Sequence, residues 1–215
     1  MLHALCAFMT MNELAHTTNE HRDYLGAKIG MWLFLFTEIL LFGGLFLVYS
    51  VYRDAHSTDF HIAAQELSTV IGTINTVILL TSSLTMALSI SALQRSEKMR
   101  SAMFQAATVI LGIAFLINKY VEWSEHIHHG FYPGSTELLA KGHGQVLFFG
   151  LYYVMTGIHG LHVLIGMGLI GSMLILTMNN KISSSDFIKL ENTGLFWHLV
   201  DVIWIYLFPL FYLIT

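Results

Sequence analysis

Residues 146–178 read VLFFGLYYVMTGIHGLHVLIGMGLIGSMLILTM, a run without a single Asp, Glu, Lys or Arg. A helix crosses a hydrocarbon core of about 30 Å with about 20 apolar residues. Val146–Met178 exceeds that length, so it must tilt or extend as helix beyond the lipid. Working outward, four more stretches have the same character: Ile29–Tyr52, Leu67–Leu93, Met103–Asn118 continuing to about Trp123, and Leu195–Thr215. Of all the charged residues, only Glu38 and Asp201 fall inside these five cores. A spanning barrel would instead show many short segments of alternating character, and these runs are apolar on every face. The expected fold is therefore all-α, a polytopic membrane helix bundle with five transmembrane helices. Residues 1–27 are expected to form an N-terminal cytoplasmic tail and 28–215 the membrane domain.

Composition narrows the function. The chain of 215 residues is 55% hydrophobic and 11% charged, which is not the composition of a water-soluble domain. Its net charge of −4 offers no basic surface to neutralise nucleic-acid phosphates. The single cysteine, Cys6, excludes an internal disulfide, a Cys-rich zinc site, an iron–sulfur cluster and a two-thiolate copper centre. Lys and Arg set the orientation. Arg22, Lys28, Arg95, Lys98, Arg100, Lys181 and Lys189 lie on the side of the N-terminus, against Arg53, Lys119 and Lys141 on the other. The N-terminus is expected in the cytoplasm and, after five crossings, the C-terminus on the outer face. Met1–Thr10 lacks a basic start and runs into polar residues, unlike a cleaved leader. No internal repeat is visible.

Ionisable groups at membrane depth are costly unless paired, neutralised or wetted, so each is a functional hypothesis. Glu38 lies among Phe34, Leu35, Leu41 and Phe42. Desolvation there disfavours a bare carboxylate, so Glu38 is expected to be held neutral in a hydrogen bond between helices or to handle protons. His159, His162 and Gly166 share a helix face at i, i+3 and i+7, where the glycine is expected to admit a neighbouring backbone and the imidazoles to bond across the contact. His198 and Asp201, also i and i+3, are placed for the carboxylate to accept from this ring or from another helix's histidine. Trp197 and Trp204 are read as interface anchors or packing residues, and Pro209 is expected to bend the last turns. Glu122, Glu125, His126, His128 and His129 crowd the end of the third span. Their spacing fits no zinc pattern, and a hydrated cap with Trp123, Phe131, Tyr132 and Pro133 is expected over a loop from Glu122 to Gly144.

In chain order these segments resemble subunit III of the haem–copper terminal oxidases, the cytochrome c oxidase family and its quinol-oxidising relatives. The likeness runs from about Gly26 to Tyr212. It is carried by Phe36-Thr37-Glu38-Ile39-Leu40-Leu41-Phe42, by Glu122-Trp123, by Thr156-Gly157-Ile158-His159-Gly160-Leu161-His162-Val163, and by Glu191 followed by Trp197-His198-Leu199-Val200-Asp201-Val202-Ile203-Trp204. The resemblance implies a subunit without redox cofactors of its own, packed on a large subunit I whose complex reduces O₂ to water and pumps protons. Haems and copper would belong to partner subunits. Subunit II and small helical subunits would be further neighbours, and phospholipids would be bound. Glu38 would be the buried carboxyl of the first shared helix, and His159, His162, His198, Asp201, Glu122 and Glu191 would form a polar seam or handle protons. Such subunits stabilise subunit I in turnover, support its proton uptake from the cytoplasm and shelter lipids. Many relatives have seven helices and this chain five, so a separate chain is a possible source of the other two. The expected location is a bacterial inner membrane.

Two other classes compete. A b-type membrane cytochrome would use His143, His159, His162 and His198 as haem ligands, and a proton-coupled transporter would use Glu38 and Asp201 as carriers. Within the resembled family the sequence leaves open cytochrome c oxidase, quinol oxidase and a nitric-oxide reductase accessory chain.

Overall fold

A computed structural model describes the backbone of residues 2–184 and 186–214, with side chains from Tyr24 onward. The expected tail, with Cys6 and Arg22, falls largely outside the described side chains. Seven helices follow in order: α1 Leu2–Ala55, α2 Ser57–Ala64, α3 Thr69–Gln94, α4 Lys98–His128, α5 Thr136–Lys141, α6 His143–Met178 and α7 Ile188–Tyr212. The stretches Tyr24–Ala55, Thr69–Gln94, Lys98–His128, His143–Met178 and Ile188–Tyr212 are long and apolar enough to cross a membrane. The chain divides into two units, Met1–Ile39 and Leu40–Thr215. In the first, α1 is continuous helix, and the Thr37 hydroxyl donates to the Phe34 carbonyl one turn back.

The second unit is built on a ring of four helices, with α3 against α4, α4 against α6, α6 against α7 and α7 against α3. The buried residues explain the arrangement. On α3 they include Gly72, Asn75, Leu79, Ser82, Met86 and Ser89; on α4, Ser101, Gln105, Thr108, Gly112, Phe115, Lys119, Glu122 and His126. On α7 they include Leu190, Thr193, Trp197, Val200, Trp204, Leu207 and Phe211. Every step in these series is three or four residues, the 3.5-residue period of helices packed knobs-into-holes. Apolar side chains face outward as well, because lipid solvates them as well as a core would. Association therefore rests on close packing and on hydrogen bonds between helices.

Small residues supply the close packing. A Cβ on Gly72 of α3 would stand 2.8 Å from the Phe208 ring of α7, and one on Gly194 of α7 would stand 2.7 Å from Ile90 of α3. Bonds between helices accompany these contacts: Trp204 Nε1 donates to Thr76 Oγ1 at 3.1 Å, Trp197 Nε1 to Ser82 Oγ at 3.1 Å, and Asn118 Nδ2 to Asn75 Oδ1 at 3.0 Å. Both tryptophans are thus fully buried packing residues rather than interface anchors. α7 runs through Pro209 to Tyr212, and its last carbonyls are met from outside. Tyr49 Oη of α1 donates to the Leu210 carbonyl, and Thr69 Oγ1 of α3 donates to that of Tyr212. Such bonds satisfy acceptors that a helix end leaves open.

Several helix boundaries differ from the sequence expectation, among them the start of α4 at Lys98 rather than Met103 and that of α1 at Leu2 rather than Ile29. α4 continues past Trp123 to His128, and α7 begins at Ile188, about two turns before Leu195. In both places polar residues kept the hydropathy low while the helical period of buried positions continued. α4 ends where Gly130 takes φ +75°, with Phe131 N donating to the His126 carbonyl at 2.9 Å. A left-handed residue just beyond a helix favours glycine, and the bond closes the last turn. The segment that follows folds as a cap. Phe131 stacks on Phe149 with centroids 5.3 Å apart, Lys141 Nζ lies 4.1 Å from the Phe131 centroid, and Ser135 caps α5 by accepting from Leu138 N.

Candidate functional site: a buried ion pair and the polar groups of the bundle

Two charges of α4 point inward. Lys119 and Glu122, counted from sequence among the loop charges, both sit inside the bundle, with side chains 9% and 2% exposed. Lys119 follows Phe115 by four residues and precedes Glu122 by three, so the stripe that buries Phe115 buries both charges. Lys119 Nζ donates to Glu122 Oε2 at 3.0 Å, to Tyr152 Oη of α6 at 2.9 Å and to Tyr212 Oη of α7 at 2.9 Å. Both phenols in turn donate to Glu122 Oε1, Tyr152 at 2.9 Å and Tyr212 at 2.5 Å. An ammonium has three N–H donors, and here all three are used. The Tyr152, Trp204 and Tyr212 rings lie 4.8, 5.3 and 5.6 Å from the same nitrogen, adding cation–π attraction. The set ties α4, α6 and α7 together at the end of the bundle that also carries α2 and α5. His126, one turn beyond Glu122, closes it over with its ring 6.2 Å from that of Tyr152.

The other expected site residues fall into separate places. Glu125, His128 and His129 are exposed, so the cluster at the end of the third span divides into an inward half and a solvated half. Among the described residues no group of three His, Cys, Asp or Glu side chains converges as a metal site. His159 is buried between Phe115 and Trp204, with ring centroids 5.7 and 5.3 Å away, and neither of its nitrogens has a hydrogen-bond partner among the described residues. His162 turns to the flank of α6, its Nδ1 bonded to the Ile158 carbonyl at 2.8 Å and its ring near Phe42 and Phe196. The two histidines therefore do not share a contact. Gly166 opens space for a ring rather than a backbone, since a Cβ there would meet Trp197 at 2.7 Å.

His198 Nδ1 bonds Ser83 Oγ of α3 at 2.6 Å rather than Asp201. Asp201 is buried, and its oxygens make no well-formed hydrogen bond among the described residues, although the Ser83 hydroxyl lies close enough to interact with it. Glu191 stands in the first turn of α7, and Glu38 belongs to the first unit. His143, the fourth candidate haem ligand, pairs with His56 at 6.0 Å near the start of α6. The four candidate haem histidines thus face four different surroundings.

His159 gives a direct test of what its burial means. A neutral imidazole carries one N–H, and a buried donor left without an acceptor costs about 1–3 kcal/mol. His159→Phe, of similar volume between two aromatic rings, is expected to raise stability by about 1 kcal/mol. Unfolding in denaturing detergent reads this out. A loss of proton uptake by the assembled complex would instead assign the ring a role in proton handling.

Five helices long and apolar enough to cross a membrane, four of them packed in a ring with hydrogen bonds between helices, describe an integral membrane protein. Residues 10–215 match the family described as cytochrome c oxidase subunit III. The chain belongs to that family. It is 30% identical to the cytochrome c oxidase subunit 3 of Bacillus sp. strain PS3, covering 86% of this chain and 84% of that one. It is 31% identical to that of Thermostichus vulcanus, covering 92% and 90%. It is also 28% identical to a probable quinol oxidase subunit 3 of Staphylococcus haemolyticus, covering 94% and 97%. A haem–copper oxidase subunit I+III of Aeropyrum pernix matches over 91% of this chain and 24% of its own length at 28% identity.

Lys119, Tyr152 and Tyr212 are the functional-cluster residues that the sequence reading missed. The signal was present in the spacing of Phe115, Lys119, Glu122 and His126, which continues the inward stripe of the helix.

Proposed function

We propose that the chain is an accessory subunit III, without redox cofactors of its own, of a proton-pumping haem–copper oxidase, with cytochrome c as the electron donor. It stabilises subunit I, supports proton uptake and binds phospholipid at the bacterial inner membrane. The observation that carries this is the interior of the bundle. The buried Lys119–Glu122 pair is saturated by protein donors and acceptors, and the described histidines face separate surroundings, so the helices are organised to hold one another. Association with subunit I is supported by the Aeropyrum pernix relative, whose name joins subunits I and III in one chain. Subunit II and small helical subunits complete the expected neighbourhood. The N-terminus faces the cytoplasm in this reading. With Lys119 inside the bundle, only Arg53 and Lys141 remain as outer loop cations, which sharpens the charge asymmetry.

Oxidase purified with and without this chain provides the test. Loss of the chain is expected to leave electron transfer possible while slowing proton uptake or shortening the active lifetime of the enzyme. An oxidase whose turnover, pumping and lifetime are all indifferent to the loss would refute the reading.

A further inference from the structure

We propose that His56 and His143 bind a zinc ion at the corner where α1 passes into α2 and α6 begins. The inference stands apart from the oxidase function proposed above, because both ligands belong to this chain. His56 links α1 to α2: its N–H donates to the Tyr52 carbonyl and its carbonyl accepts from Phe60 N, both at 3.0 Å. His143 is the first residue of α6. Phe60 locks the two elements together, its ring edge-on to Phe148 of α6 at 5.4 Å and to Tyr49 of α1 at 5.5 Å. Packing of the fold, not the ion, brings the two positions together.

The ring centres of His56 and His143 lie 6.0 Å apart. An imidazole bound through one nitrogen holds its centre about 3.2 Å from zinc, a bond of about 2.1 Å plus about 1.1 Å of ring. Two imidazoles on one ion thus have centres about 5.2 Å apart at a tetrahedral angle and at most about 6.4 Å apart in line. The observed separation falls in that interval. Neither imidazole makes a hydrogen bond or an ion pair among the described residues, so their nitrogens are not spent on the protein. His143 is exposed and His56 half-buried, which lets an ion arrive from water. Asp59 adds negative charge at the same corner. It follows His56 by three residues, and its carboxylate fills the space that a Cβ on Gly144, next to His143, would take. No ion pair among the described residues neutralises it. Two protein ligands leave the rest of the shell to water, so the ion exchanges freely, unlike one in a closed structural site. Imidazole nitrogens suit zinc and its transition-metal neighbours, whereas magnesium and calcium require oxygen ligands. An ion held there bridges the α1–α2 corner to the start of α6.

The full chain in its own membranes is treated with diethyl pyrocarbonate, which acylates free imidazole nitrogens, and its peptides are read by mass spectrometry. Zinc should slow modification of His56 and His143 together by about tenfold and leave the exposed His128 unchanged. Magnesium should protect neither. In His143→Ala, zinc should no longer protect His56. Equilibrium dialysis of the chain, purified with its partners, gives a second readout. His56→Ala and His143→Ala should each hold one zinc fewer per chain than the wild type, and His128→Ala the same number. Equal zinc in all of these proteins, protection of His143 alone, equal protection by magnesium, or protection of His56 that survives His143→Ala would each overturn the site.

Discussion

Lys119→Met is expected to destabilise the bundle by about 3–5 kcal/mol, because it leaves the Glu122 carboxylate buried without its cation. Glu122→Gln should cost a similar amount, leaving the ammonium inside with one charge partner fewer. The physical reason lies in the accounting of buried ions. Desolvating two charges is expensive, and their attraction offsets that cost only while both are present and their other donors and acceptors are filled. Here they are filled, by Tyr152 and Tyr212. The double variant Lys119→Met with Glu122→Gln removes both charges and keeps an amide oxygen for the phenols. It should therefore cost less than either single change, with a coupling of about 2 kcal/mol or more. Unfolding in mixed micelles of rising denaturing-detergent content, followed by tryptophan fluorescence, measures all three. Additive effects, or single costs below about 1 kcal/mol, would mean that water reaches the pair.

Gly166→Val is the second large effect. The Trp197 ring fills a slot bounded by glycines on two helices, where a Cβ on Gly166 would meet it at 2.7 Å and one on Gly112 at 3.1 Å. A branched side chain at Gly166 must displace the ring, and overpacking of this kind costs about 1–3 kcal/mol. Displacement also takes Trp197 Nε1 away from Ser82 Oγ, leaving a buried donor unmet for about 1–3 kcal/mol more. The sum is enough to expect loss of the chain from the membrane fraction. Gly168→Val, where a Cβ meets nothing within 4 Å, serves as the control and should accumulate normally. Equal accumulation of the two variants would show that the slot is not rigid.

Hydropathy made the spans legible because lipid imposes length and apolarity on each crossing helix independently of its neighbours. Val146–Met178 matches the observed α6, His143–Met178, to within a turn. What hydropathy hid is the inward face. Lys119 and Glu122 lower the local average and look like the start of a loop, yet they sit at the same period as Phe115 and His126. Their burial is made tolerable only by two tyrosines more than 25 residues away in sequence, and a partner of that kind has no local signature. Gly166 shows the same limit. Its need for space could be read from the sequence, but the occupant, Trp197 of another helix, could not. His198 and Asp201 stand at a spacing that permits a contact, and the choice of Ser83 by His198 is made by the packing of α3 on α7.

The company this chain keeps in the membrane is the most direct test of its role as an oxidase subunit. Affinity purification of the tagged protein from membranes, followed by a density map of the eluted particle, should show its five helices seated on a haem- and copper-bearing subunit I. Iron or copper ligated by this chain's own side chains, or a particle containing no oxidase core, would contradict it.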